Sequence, residues 1–151
     1  MSEENKAIVR RMIDEVLNGQ GNLDVADELF APDYVGHNPA SPVDTRGPEG
    51  VKVFARMFRS AFPNVHFSVE DQVAEGDKVV TRWRGSGTHQ GDLFGIAPTG
   101  NRASFVGITI NRIEGGKVAE EWQIFDALGM MQQLGAIPSP GEPKLNDLGC
   151  A

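Results

Sequence analysis

Counting across the Gly115-Gly116 turn puts Thr109 roughly opposite Gln123 and Asn111 near Glu121 on one face of a hairpin, while Ile108, Ile110, Trp122 and Ile124 fall on the other. A hydroxyl, two amides and a carboxyl on one strip are groups that could hold a carbonyl compound. Two imidazoles, His37 in a short extended segment and His89 in the Gly87-Thr88-His89 turn, could exchange protons near neutral pH or simply brace a loop. Asp126 lies where the last strand gives way to a terminal helix, so it could act as a base or cap that helix by accepting backbone N–H bonds. Trp83 could stack on a flat ligand or fill the core. His37, His66 and His89 show no His-x-His or His-Glu-x-x-His spacing, which argues against a metal. Gly85-Ser86-Gly87 begins like a dinucleotide-binding loop, but Gln90 occupies the sixth position and no helix follows, so the phosphate-cradling geometry is absent. No Ser-His-Asp arrangement is visible, and Cys150 has no basic neighbour beyond Lys144 to activate it.

The chain that must position these groups has 151 residues, 40% hydrophobic and 23% charged, which suits one globular domain with one core. The domain is expected over residues 1–135, followed by an irregular Pro-rich tail over 136–151. A net charge of −7 has the wrong sign for neutralising phosphates, so no nucleic-acid partner is expected. With one cysteine no intrachain disulfide can form, and neither a secretory start nor an eighteen-residue apolar run is present. The expectation is a cytoplasmic protein without membrane contact.

Ile8, Met12, Ile13, Val16 and Leu17 recur at helical spacing and predict one amphipathic helix ended by Asn18-Gly19-Gln20-Gly21. Asn22 can cap a second short helix whose Leu23, Ala26, Leu29 and Phe30 face inward, with Pro32 preventing continuation. After an extended piece over 33–37 and a polar loop, Pro48 opens a third helix with Val51, Phe54, Met57, Phe58 and Ala61 on its apolar face. From Val65 the period becomes two, predicting a strand, a Glu75-Gly76-Asp77 turn and a second strand over 78–87, then a loop over 88–100. A hairpin follows over 101–114 and 117–125, then a short helix over 127–134 ended by Gly135. Helices followed by four antiparallel strands make an α+β domain, whose helix-covered sheet leaves an apolar hollow suited to a small molecule.

Asn5-Lys6-Ala7-Ile8-Val9-Arg10-Arg11, Leu29-Phe30-Ala31-Pro32-Asp33-Tyr34, Gly47-Pro48-Glu49-Gly50, Ala61-Phe62-Pro63, Gly87-Thr88-His89, Pro98-Thr99-Gly100, Arg112-Ile113-Glu114-Gly115-Gly116-Lys117 and Gln132-Gln133-Leu134-Gly135 together resemble the SnoaL-like polyketide cyclases. The resemblance spans residues 5–135. It implies the cone-shaped α+β barrel of the nuclear-transport-factor-2-like superfamily, paired as a homodimer through the sheet. It also implies cofactor-free, metal-free aldol ring closure on a small apolar polyketide. In the family an Asp and a His on the last two strands serve that reaction. Aligned on Arg112-Ile113, Gly116-Lys117 and Gln133-Leu134-Gly135, the His position falls on Thr109 and the Asp position on Gln123. An amide cannot accept a proton at neutral pH, so Gln123 is left to orient a carbonyl or a water. The resemblance then points to Asp126 and His37 as catalytic groups and to Thr109, Gln123, His89, Trp83, Phe105 and Glu121 as substrate-binding residues. It also sets the Trp122 face in the dimer contact. A hydroxylase of the same family, or a non-catalytic carrier using the same cavity, remains an alternative.

Overall fold

The computed structural model describes residues 2–18, 22–41 and 43–138. Helix α1 (Ser2–Met12) has Glu3 and Glu4 in its first turn and Arg10 and Arg11 in its last, both favourable to the helix dipole. It runs into a π-helical turn, Ile13–Leu17, which buries Ile13 and Val16. Periodicity predicts a uniform helix here. The wider turn forms where the Asn18 N–H reaches Ile13 O at 2.8 Å, while the Asn18 side chain donates to Phe67 O at 2.8 Å and accepts from Phe67 N at 2.6 Å. A contact with the sheet, distant in sequence, therefore sets how the helix ends.

The remaining elements are α2 (Val25–Leu29), β1 (Phe30–His37), β2 (Thr45–Arg46), α3 (Gly47–Ala61), β3 (His66–Glu75), β4 (Lys78–Thr88), β5 (Arg102–Glu114), β6 (Lys117–Phe125) and α4 (Ala127–Leu134). They build one unclosed sheet in the order β2-β1-β6-β5-β4-β3. Four antiparallel strands after three helices is thus corrected to six strands, with β1 and β2 formed between the helices and β1 parallel to β6. Phe30 starts β1 rather than closing the second helix. The register slips between the pairs Phe30↔Val118 and Val35↔Glu120, and Pro32, which has no N–H for a ladder, lies in that interruption.

The other strands pair antiparallel, with register slips at Val69/Asp71 of β3 and at Arg112/Ile113 of β5. In β4, Val79, Thr81 and Trp83 are buried while Val80, Arg82 and Arg84 are exposed. β5 and β6 pair through Thr109↔Gln123 and Asn111↔Glu121, joined by Gly115 (φ 59°) and Gly116 (φ 76°), the positive-φ pair that a two-residue hairpin turn requires. Val9, Met12, Val16, Val51, Phe58 and Phe62 from the helices meet Phe67, Trp83 and Phe105 of the sheet in one core. Lys52 of α3, its ammonium within 3.5 Å of Asp24, Asp27 and Glu49, ties α2 to α3. No helix among the described residues is long and apolar enough to cross a membrane. Residues 139–151, with Cys150 and most of the expected tail, lie outside the described residues.

Candidate functional site

Between the sheet and α1 and α3 lies a cavity of about 430 Å³. Its walls are mainly apolar, with Phe30, Phe54, Phe58, Phe67, Phe105 and Phe125 supplying aromatic surface. Thr81, Thr109, Asn111, Glu121, Gln123 and Tyr34 line it from the sheet, and Asn38, Ser41, Asp44, Thr45 and Arg46 line it from the segment before α3. Small-molecule sites are commonly of this kind, a greasy hollow with a few polar atoms that fix orientation.

Glu121 is the carboxyl held deepest among these. β1 and β6 pair through Gly36↔Glu121, and a Cβ added at Gly36 would lie 2.5 Å from the Tyr34 hydroxyl. The missing side chain at Gly36 therefore lets the Tyr34 phenol pass over the strand and donate to Glu121 Oε2 at 3.1 Å. Asn111 Nδ2 donates to the other oxygen at 3.2 Å. Burial pushes the Glu121 carboxyl above its ordinary value, with the Asn111 and Tyr34 hydrogen bonds opposing. Burial, reinforced by the nearby Glu121 charge and the hydrogen bond to it, drives the Tyr34 phenol well above its own ordinary value, so Tyr34 stays protonated as a donor. A carboxyl shifted toward neutrality in a mainly apolar cavity is suited to taking and returning a proton.

Thr109, Gln123, Trp83, Phe105, Glu121 and His37 all line this cavity. His37 sits at its β1 end, with Nε2 2.7 Å from Glu120 Oε2, Nδ1 3.3 Å from Asp44 Oδ1, and its ring stacked on Trp122 at 5.8 Å. The bond to Glu120 is the main cause raising the imidazole above its ordinary value, and Asp44 adds to it against burial. Glu120 is correspondingly lowered, by His37 first and then Arg112. The pair is therefore charged on both sides over a window reaching from below the usual carboxylate range to above the usual imidazole range. A protonated His37 is a clamp on two carboxylates and a poor base.

Two expected site residues lie elsewhere. Asp126 is exposed and does not line the cavity; its Oδ1 accepts from Gly129 N at 2.9 Å and caps α4. Of the two readings open for this residue, the geometry takes the cap. Asp126→Ala is accordingly expected to cost about 1 kcal/mol, lowering the melting temperature by roughly 2–4 °C in a chain of this size, while turnover stays near that of the parent. His89 is fully buried but packs on Phe62 at 5.6 Å, outside the cavity lining. Its Nδ1 accepts from Thr99 N at 3.2 Å, and its backbone pairs with Asn101 and Gly100, so it braces the 89–101 loop.

Tyr34 was not among the expected site residues. Asn111 could be set beside Glu121 by counting along the hairpin, but the reach of Tyr34 depends on β1 pairing with β6, which no local pattern announces. Phe94 and Val43, contributed by loops, line the cavity for the same non-local reason. Among the described residues no three of His, Cys, Asp and Glu cluster so as to hold a metal ion.

A family model, SnoaL-like polyketide cyclase, matches residues 7–134. The chain belongs to the SnoaL-like polyketide cyclase family. Aklanonic acid methyl ester cyclase DnrD of Streptomyces peucetius is 32% identical to this SnoaL-like chain over 133 residues, covering 85% of it and 88% of DnrD. AclR from Streptomyces galilaeus has a similar structure, with a TM-score of 0.82 at 27% identity over 99% of this chain and 92% of AclR. TsrD from Streptomyces laurentii gives 0.78 at 31% identity over 89% and 97%. The SnoaL-like fold expected from the sequence, a curved sheet with helices on one face, is the fold observed, with the sheet left open between β2 and β3.

Proposed function

We propose that this SnoaL-like protein is an enzyme that closes a ring in a small, largely apolar polyketide carbonyl compound by acid/base chemistry, with Glu121 moving the proton. The supporting observation is a carboxyl raised above its ordinary value in a mainly apolar cavity, hydrogen-bonded through both oxygens. In the ionised form it removes a proton from the carbon beside a carbonyl, leaving an enolate. That carbon bonds to a second carbonyl carbon of the same molecule, whose oxygen takes the proton back from Glu121. No atom is gained or lost, so this reading calls for no cofactor. It replaces Asp126, which caps a helix, and it accounts for a cavity with Gln123 and Thr109 at the positions of the family's Asp and His. Restriction to the cytoplasm belongs to the same reading.

The name of DnrD supplies a probe. Incubated with aklanonic acid methyl ester, the protein is expected to yield an isomer of unchanged mass, separated by chromatography, and the Glu121→Gln variant is expected to yield almost none. A second reading is favoured by AclR, for which a hydroxylase assignment has been put forward. It would show as a product one oxygen atom heavier, formed with dioxygen uptake. Ester retained unchanged would instead select a carrier.

A second copy docked on the outer sheet face is part of the proposal. Ile108 (50% exposed), Trp122 (37%) and Ile124 (68%) leave apolar surface there that water meets in the single chain. Ile124→Lys is expected to sediment as a monomer where the parent sediments as a dimer.

A further inference from the structure

The Trp83 indole N–H donates to Thr109 Oγ1 at 2.9 Å, and both side chains are buried while lining the cavity. An indole N–H can only donate, so Thr109 must be the acceptor. The threonine hydroxyl therefore keeps its own proton to give, and among the described residues no protein acceptor receives it. A buried hydroxyl proton without an acceptor is unfavourable, and a ligand oxygen in the cavity would remove the deficit.

The direction of that proton is built in. Trp83 pairs with Gly107, and a Cβ added at Gly107 would lie 2.3 Å from Trp83 Cζ2 and 2.8 Å from Phe125 Cβ. The indole lies flat over the glycine, with Phe67 at 5.5 Å, Phe105 at 6.2 Å and Phe125 at 6.4 Å around it. With the ring immobilised, the N–H occupies a fixed lone pair of Thr109, which leaves the hydroxyl few directions in which to turn. Thr109 and Glu121 sit on adjacent strands as diagonal neighbours, roughly 7–8 Å apart and somewhat less at Cβ, a span that one carbonyl group and its neighbouring carbon can bridge.

We propose that the Thr109 hydroxyl, oriented by the Trp83 indole N–H, is the hydrogen-bond donor that holds the oxyanion formed when a proton leaves the carbon beside a bound carbonyl. Thr109 touches the substrate; Trp83 acts through it as a positioning residue. A donor fixed in advance and withdrawn from water stabilises developing charge without reorganising. The proposal rests on the acid/base reading of the cavity but assigns a different part of it.

The test uses 4-nitrophenolate, a planar oxyanion whose absorbance reports its ionisation, titrated into full-length chains that all carry Glu121→Gln. This background removes the repelling carboxylate and makes the outcome independent of whether Glu121 is the base. Phenolate is expected to bind about tenfold or more tightly to the chain with Thr109 intact than to the one with Thr109→Val. The ionisation midpoint of the bound phenol should also be lower. Thr109→Ser should restore both, and Trp83→Phe should lose part of the gain with the threonine still present. In chains labelled at the indole nitrogens, the Trp83 N–H resonance should move in Thr109→Val and return in Thr109→Ser, with Trp122 unmoved. Equal binding by the threonine and valine chains, or no binding by either, overturns the donor role. Trp83→Phe binding as tightly as its parent overturns the positioning role. Loss of ring closure in Glu121→Gln bears on the base alone, so the two readings fail separately.

Discussion

Glu121→Gln is expected to lower turnover by about 10²–10⁴-fold, the range by which a positioned acid/base group accelerates proton transfer. The substitution keeps side-chain length and removes only the ability to exchange a proton. Stability should survive. Tyr34 can still donate to the remaining carbonyl oxygen. Asn111, whose Oδ1 is buried without a partner, can rotate its amide to accept from the new NH2 group. The pH profiles should separate the two chains. In the parent, turnover rises with pH as Glu121 ionises, with its midpoint above the ordinary carboxylate value. Stability runs the other way: a carboxyl raised on folding binds its proton more tightly in the native state. Its contribution is present below the unfolded value and lost as pH climbs through the folded one. The parent's melting temperature should therefore decline across that interval relative to Glu121→Gln, read by thermal unfolding at a series of pH values.

Gly107→Ala is expected to cost about 2–4 kcal/mol, combining overpacking of roughly 1–3 kcal/mol with the loss of a buried hydrogen bond worth about 1 kcal/mol. The added methyl meets the Trp83 ring and Phe125 Cβ inside contact distance, and three aromatic neighbours block the indole's retreat. Denaturant unfolding reads the loss directly. The displaced indole should also release Thr109, so activity per folded molecule falls along with stability.

The hairpin 101–125 was the part of the chain most readable from sequence, because its two alternating strands and Gly-Gly turn bring Thr109, Asn111, Glu121 and Gln123 to neighbouring positions, while their pairing also needs the register slip between Arg112 and Ile113, which alternation does not announce. The third helix followed equally from Pro48 at its start and Pro63 just beyond it. β1 was harder. Its Pro32 and Asp33 argue against a strand, and its pairing with β6 depends on residues more than eighty positions away. That unannounced pairing explains both the missed Tyr34 and the undervalued Glu121, whose surroundings are completed only by β1. Asp126 shows the opposite difficulty. An acid before a helix is ambiguous in sequence, and only the Gly129 N–H contact separates cap from base. His89 is similar, since a turn histidine becomes a loop brace only once Phe62 and Thr99 are known to surround it.

The parallel pairing of β1 with β6 also sets the order in which the protein can mature. Residues 30–37 leave the ribosome well before their in-sheet neighbour on one side, residues 117–125. Until that late strand arrives, Tyr34 has no carboxylate to meet and the hollow lacks a wall, so a partly translated chain carries an exposed aromatic surface. Pairings so distant along the backbone close slowly. The Tyr34–Glu121 contact and the β1 wall of the hollow are thus completed by one and the same long-range pairing.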